Sequence, residues 1–230
     1  MKRCVCILVV LLFVLTMNAQ SFNESLHLEQ YAESNARIKA SGKTPTAVFI
    51  GNSIIDIWAR DYGSFFTSYD YLGRGVGGHT SPQMLLRFRP DVLELKPKAV
   101  VICIGINDIA ENTGPYSEQF TFDNISTCAD LARAYGIKVI LCSILPAAKC
   151  GWNKSVVNVP AKIDALNARI KDYAEKEKII FVDFNTAMRD ENGGLKKEYD
   201  WDDGVHINEK GYKIMESIIV PVINKVLVNE

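Results

Sequence analysis

Short apolar runs suited to buried strands alternate along this chain with longer segments whose apolar residues recur at helical spacing. The runs Ala47–Ile50, Tyr69–Leu72, Ala99–Ile104, Val139–Ile144 and Ile179–Val182 read as five strands. The segments Glu24–Lys39, Pro82–Leu95, Phe122–Tyr135, Lys162–Lys176 and Gly211–Val228 read as helices between and after them. Strands that are apolar throughout and alternate with helices predict an α/β fold with a five-stranded parallel sheet covered on both faces. Gly136 fits a helix stop before the Val139 strand, and Pro97 marks the break before Ala99. The stretch from Pro146 to Pro160, which contains Trp152, reads as a long loop, and loops of that length are often functional or mobile.

The amino-terminal residues follow a different pattern. Lys2 and Arg3 precede an apolar run from Val5 to Leu15, and Ala19 lies at a cleavage-type boundary before Gln20. This predicts a secretory signal peptide over residues 1–19 and one mature domain over 20–230, placed in the periplasm or secreted. The alternative of a membrane anchor needs about 20 apolar residues, which the run lacks, so no membrane association is expected after cleavage. With Lys2 and Arg3 removed from the 26 basic residues, the 27 acidic ones outnumber them by three, which argues against a nucleic-acid partner. The remaining cysteines, Cys103, Cys128, Cys142 and Cys150, match no metal spacing. Cys103 and Cys142 fall in apolar strands, where a thiol acts as a small hydrophobe, although an oxidising compartment leaves a disulfide open.

In an open α/β sheet, reactive groups gather beyond the carboxyl ends of the strands, and the polar motifs of this chain fall there. Gly51-Asn52-Ser53 follows the first strand, Gly73 to Gly78 the second and Gly105-Ile106-Asn107-Asp108 the third, while Asp203-Gly204-Val205-His206 precedes the last helix. A serine hydroxyl is a poor nucleophile until a base takes its proton. Of three histidines, His206 has a carboxylate three residues upstream, so Asp203 can hold one ring nitrogen while the other faces Ser53; Asp202 is the rival orienter. His27 is expected exposed in the first helix, and His79 follows the glycine-rich loop. The bland reading of Asp200, Asp202 and Asp203 is an acidic turn or a loose calcium site. Ester hydrolysis also requires donors for the oxyanion, available from the Ser53 N–H, a glycine N–H in Gly75–Gly78, and the Asn107 side-chain amide.

The run Gly73-Arg74-Gly75-Val76-Gly77-Gly78 formally fits a dinucleotide fingerprint. It follows the second strand, however, and no acidic residue stands in the ribose-binding position, so the glycines are better read as letting backbone approach Ser53. The segment also carries Ile55 where a nucleophile elbow needs glycine, which argues against an α/β-hydrolase fold.

The four blocks Gly51-Asn52-Ser53-Ile54, Gly75 to Gly78, Gly105-Ile106-Asn107-Asp108 and Asp203-Gly204-Val205-His206 resemble, in this order, the SGNH hydrolases, also called the GDSL-like esterase family. The resemblance is nearest to the branch holding platelet-activating-factor acetylhydrolase subunits and bacterial carbohydrate acetylesterases. It implies a three-layer, flavodoxin-like fold with Ser53 as nucleophile, His206 as base and Asp203 as its orienter. It further implies an oxyanion hole of the Ser53 amide, Gly78 and Asn107, with no metal and no organic cofactor. Asn52 stands where the family commonly has Asp, keeping the acceptor while losing the charge. The resulting expectation is a secreted serine esterase removing short acyl groups, acetyl above all, from a small-molecule or glycan ester. Arg74, Arg87, Trp152 and Trp201 are candidates for sugar contacts or for structure, and Trp58 for packing. The alternatives are a lysophospholipase or thioesterase acting on longer chains, and a non-catalytic glycan-binding protein on the same fold.

Overall fold

The computed structural model describes residues 24–228, so the expected signal peptide over 1–19 lies outside the described residues. Five parallel strands, β1 (Ala47–Gly51), β2 (Tyr71–Gly75), β3 (Ala99–Cys103), β4 (Lys138–Cys142) and β5 (Ile180–Val182), form one sheet in the order β2-β1-β3-β4-β5. Nine helices longer than a 3₁₀ turn are described: α1 (Ala32–Ser41), α2 (Ser53–Asp61), α3 (Ser64–Ser68), α4 (Ser81–Asp91), α5 (Ile106–Ile109), α6 (Glu118–Ala134), α7 (Val159–Glu177), α8 (Asn185–Met188) and α9 (Glu209–Val228). Alternate residues of each central strand enter one of two apolar cores. Val48, Ile50, Val100, Ile102, Val139 and Leu141 pack under α4, α6 and α7, while Ala47, Phe49, Ala99, Val101, Ile140 and Cys142 pack under α2, α3 and α9. This is the expected three-layer α/β/α arrangement. The chain passes from β1 out to β2 and returns across β1 to β3, so a crevice opens beyond the carboxyl ends of β1 and β3.

Two element boundaries depart from the sequence reading. The second strand runs over Tyr71–Gly75, with Gly73, Arg74 and Gly75 paired to Phe49, Ile50 and Gly51, so half of the glycine-rich run is strand. Helix α2 packs directly on it. A Cβ at Gly75 would stand 2.1 Å from the Asp56 backbone nitrogen, a distance no side chain tolerates, and the glycine is needed for that close approach. The first helix begins at Ala32 and ends at Ser41, while residues 27–31 form turns folded onto the glycine-rich segment. The Tyr31 hydroxyl and the Gln30 amide both donate to the Gly75 carbonyl there, contacts that a straight helix from Glu24 would forgo.

The four cysteines of the described region are buried free thiols, and burial raises the pKa of each, so they behave as apolar core groups.

Candidate active site

Ser53 is the first residue of α2, immediately beyond the carboxyl end of β1. Asn52 caps this helix, its side-chain oxygen accepting from the Ile54 N–H at 3.0 Å. That role needs an acceptor and no charge, which accounts for Asn where Asp is common. The cap, together with Ile54, Ile55, Ile57 and Trp58 buried on one face, makes a nine-residue helix of a segment too short to stand out by periodicity.

The other half of the site is the turn between Asp200 and Ile207. The Asp200 carboxylate accepts from the N–H groups of Asp203 and Gly204, at 3.2 and 2.9 Å. Asp203 repeats the device: its Oδ1 accepts from the Val205 and His206 N–H groups at 2.9 and 2.8 Å, and its Oδ2 lies 2.5 Å from His206 Nδ1. The carboxylate can only accept, so Nδ1 carries the proton and Nε2 presents its lone pair. That lone pair faces Ser53 Oγ at 2.8 Å across 153 residues of chain. Partial burial pushes the Asp203 carboxyl up, but the bonds from the His206 backbone and ring and the Val205 N–H outweigh it and hold the group below its ordinary value. Asp202, with φ of +69°, makes no hydrogen bond to His206, so Asp203 alone of the two orients the ring. Tyr212 of α9, fully buried, donates to the Ile54 carbonyl at 2.9 Å and ties the helix after His206 to the helix that Ser53 begins. Nothing in the sequence singled it out, because the partner is a backbone atom 158 residues away.

The glycine-rich segment joins this site from β2. The Val76 N–H donates to the Gly51 carbonyl at 3.2 Å, seating the segment beside Asn52 and Ser53. Gly78 has φ of +77°, a left-handed conformation costly for other residues. Asn107, buried in α5, donates from Nδ2 to the His79 carbonyl at 3.0 Å, which leaves its second amide hydrogen uncommitted. Among the described residues, neither the Ser53 nor the Gly78 backbone N–H is donated to a protein acceptor. The structure thus brings Ser53, Asp203 and His206 into one hydrogen-bonded chain and sets the Gly78 and Asn107 segments against each other.

Asp108, the last residue of the third block, links that block to the helix that follows the glycine-rich segment. Its carboxylate accepts the Ser81 N–H and hydroxyl, at 3.0 and 2.6 Å, and so pins the start of α4 to α5. Burial pushes this carboxyl up to about 6 against the pull of those bonds. His79 is buried as well, with Nε2 3.1 Å from Nδ1 of exposed His27, and burial, the Arg87 charge and His27 depress it to about 3.

Two candidates for sugar contact are structural. Arg74 is buried against Tyr31, Asn35 and Ser34. Arg87, fully buried, pairs with Asp91 and donates to the Gly51 carbonyl at 2.8 Å, bracing the strand end that carries Ser53. Trp58 is in the core, stacked on Phe65. Trp152 and Trp201 are half exposed, and the backbone N–H of Trp201 donates to the His206 carbonyl at 2.9 Å. Beside Ser53, a narrow cavity of about 10 Å³ is lined by its neighbours Asn52 and Ile54, by Val205 before His206, and by Ile104, Ile144 and Pro146. Among the described residues no group of three or more His, Cys, Asp or Glu is placed to hold a metal ion, and no helix is long and apolar enough to cross a membrane.

Residues 28–214 match the model of the GDSL-like lipase/acylhydrolase family. A crystal structure of a GDSL-like lipase from Bacteroides thetaiotaomicron is 46% identical, with a TM-score of 0.82, covering 87% of this chain and 98% of that one. An isoamyl acetate-hydrolyzing esterase of Saccharomyces cerevisiae is 29% identical over 201 residues, 82% of this chain and 79% of that protein. An acetylxylan esterase of Xylanibacter ruminicola is 30% identical over 151 residues, 58% of this chain, but the match spans less than a third of that longer protein (30%). This chain therefore belongs to the GDSL-like lipase/acylhydrolase family and is a carboxylic ester hydrolase.

Proposed function

We propose that this protein is an exported serine esterase that removes short acyl groups, acetyl above all, from carbohydrate through an acyl-enzyme. The observation that carries the proposal is the 2.8 Å approach of Ser53 Oγ to the His206 nitrogen whose partner nitrogen is bound to Asp203. Ser53 Oγ attacks the ester carbonyl as its proton passes to His206 Nε2, and Asp203 holds the ring and stabilises the imidazolium. The carbonyl oxygen takes up negative charge and is met by the N–H groups of Ser53 and Gly78 and the Asn107 amide, helped by the positive end of α2. His206 then gives its proton to the departing alcohol. Water attacks the acyl-enzyme, His206 takes a proton from it, and the acid leaves as Ser53 regains its hydrogen.

Three observations favour a small acyl group on a sugar. The narrow cavity beside Ser53 has about the room of one water or methyl group, which suits a small acyl group such as acetyl. Two half-exposed indoles, Trp152 and Trp201, lie on loops bordering the site and offer faces for stacking. Relatives with similar sequence are named for acetate and acetylxylan esters. The residues at 1–19 support export by their charge and apolar pattern. The test measures release of acetate from a chromogenic acetyl ester and from acetylated oligosaccharides, beside decanoyl esters and with Ser53→Ala as control. Activity on acetyl substrates that vanishes in the variant is expected. Equal rates for the variant would end the Ser53 mechanism, and faster turnover of the decanoyl ester would replace the acetyl reading with a long-chain one.

A further inference from the structure

The orientation of Gly78 is not fixed by packing. A Cβ built on it would find a single neighbour within 4 Å, the Asn112 side-chain nitrogen, at 4.0 Å. A glycine without side-chain packing turns freely about φ and ψ, so the direction of its N–H depends on how firmly the peptides on either side are held. The Gly78–His79 peptide is held at both ends: Asn112 donates from Nδ2 to its carbonyl at 3.0 Å and its His79 N–H donates to the Val76 carbonyl at 3.2 Å, which anchors Gly78 on the side next to the peptide that carries its N–H. The backbone N–H of Asn112 also donates to the Asn107 carbonyl at 3.1 Å, and Asn107 donates to the carbonyl of His79, the residue after Gly78. The bonds close a circuit through 78, 79, 107 and 112. Asn112 itself is exposed, so water competes for its amide. One further contact restrains it: the Trp152 indole N–H donates to Asn112 Oδ1 at 2.8 Å. Neighbouring Asn153 fastens the same loop to the Ala110 carbonyl at 2.9 Å.

Resting on the esterase reading above, we propose that Asn112 is a positioning residue of the oxyanion hole, held in place by Trp152, so that the loop bearing Trp152 sets the aim of the Gly78 donor. The same indole keeps half its surface open, so it stays accessible to the alcohol portion of a bulky ester.

The test compares Trp152→Phe, which keeps a ring and removes the N–H, with Asn112→Ala and the double variant, on a small chromogenic acetyl ester that does not reach the indole. Loss of one neutral hydrogen bond acting on the transition state is expected to lower kcat about fivefold in Trp152→Phe, with KM within twofold and Tm unchanged. Asn112→Ala is expected to lower kcat about tenfold or more, and the double variant to be no slower than Asn112→Ala, because both substitutions break one relay. A Trp152→Phe enzyme with kcat within twofold of the parent, or effects that multiply in the double variant, would overturn the inference. A merely structural role would lower Tm or raise KM and leave kcat alone. Wild-type turnover that survives Ser53→Ala would instead refute the esterase mechanism, so the two failures are separable.

Discussion

Asp203→Asn tests the orientation of His206 with little change in shape. In the parent, Oδ1 of Asp203 accepts two backbone N–H groups at 2.8 and 2.9 Å and Oδ2 faces His206 Nδ1 at 2.5 Å. The substituted amide has one oxygen, and the two backbone donors claim it. Rotating the amide would set its NH₂ against those donors and lose two hydrogen bonds, each worth about 1 kcal/mol net. The NH₂ therefore points at Nδ1, which must become an acceptor, and the proton moves to Nε2, facing Ser53. In that tautomer the ring cannot take the serine proton. The expected fall in kcat is about 10³- to 10⁴-fold, or roughly 4 to 5.5 kcal/mol in the barrier, with KM changed little. Steady-state hydrolysis of an acetyl ester at neutral pH measures it, with Asp202→Asn beside it, expected within twofold of the parent. Retention of a tenth or more of kcat in Asp203→Asn, or a large loss in Asp202→Asn, would refute the assignment of the orienter.

Asn107→Ala is expected to lower kcat about 10²-fold with little change in KM, since the oxyanion exists only after attack; a pure KM effect would remove Asn107 from the oxyanion hole. Burial, Arg87 and His27 depress His79 to about 3, so the unfolded chain binds a proton that the folded one refuses between about pH 6.5 and 3. Stability from this group is complete above that window and is lost as pH falls through it, and His79→Gln is expected to flatten the acid limb of a Tm-against-pH curve; an unchanged slope would contradict this. Arg87→Met strands Asp91 in the core, and chemical denaturation is expected to show a loss of about 3–5 kcal/mol, partly recovered by adding Asp91→Asn. A double variant less stable than the single one would show that the pair is not what Arg87 contributes.

Sequence by itself determined the layers, because strands apolar on both faces and alternating with helices leave few other architectures. It also offered candidates for the chemistry, since Ser53, His206 and Asp203 sit in short motifs whose residue types fit a nucleophile, a base and an orienting acid. The local partnership of Asp203 with His206 was legible for the same reason, being three residues apart. Glycines misled where they served packing: Gly73 and Gly75 read as loop, yet they are strand residues whose missing side chains admit α2. Short helices such as α2 and α5 were invisible because a cap and tertiary contacts, more than periodicity, sustain them. Only the tertiary structure decided which distant groups meet. The order β2-β1-β3-β4-β5 opens the crevice where the blocks converge, and the long-range bonds of Tyr212 to Ile54, Arg87 to Gly51, Asp108 to Ser81 and Trp152 to Asn112 hold them there. Such contacts leave no periodic trace, since each pairs a single side chain with one atom that folding alone delivers.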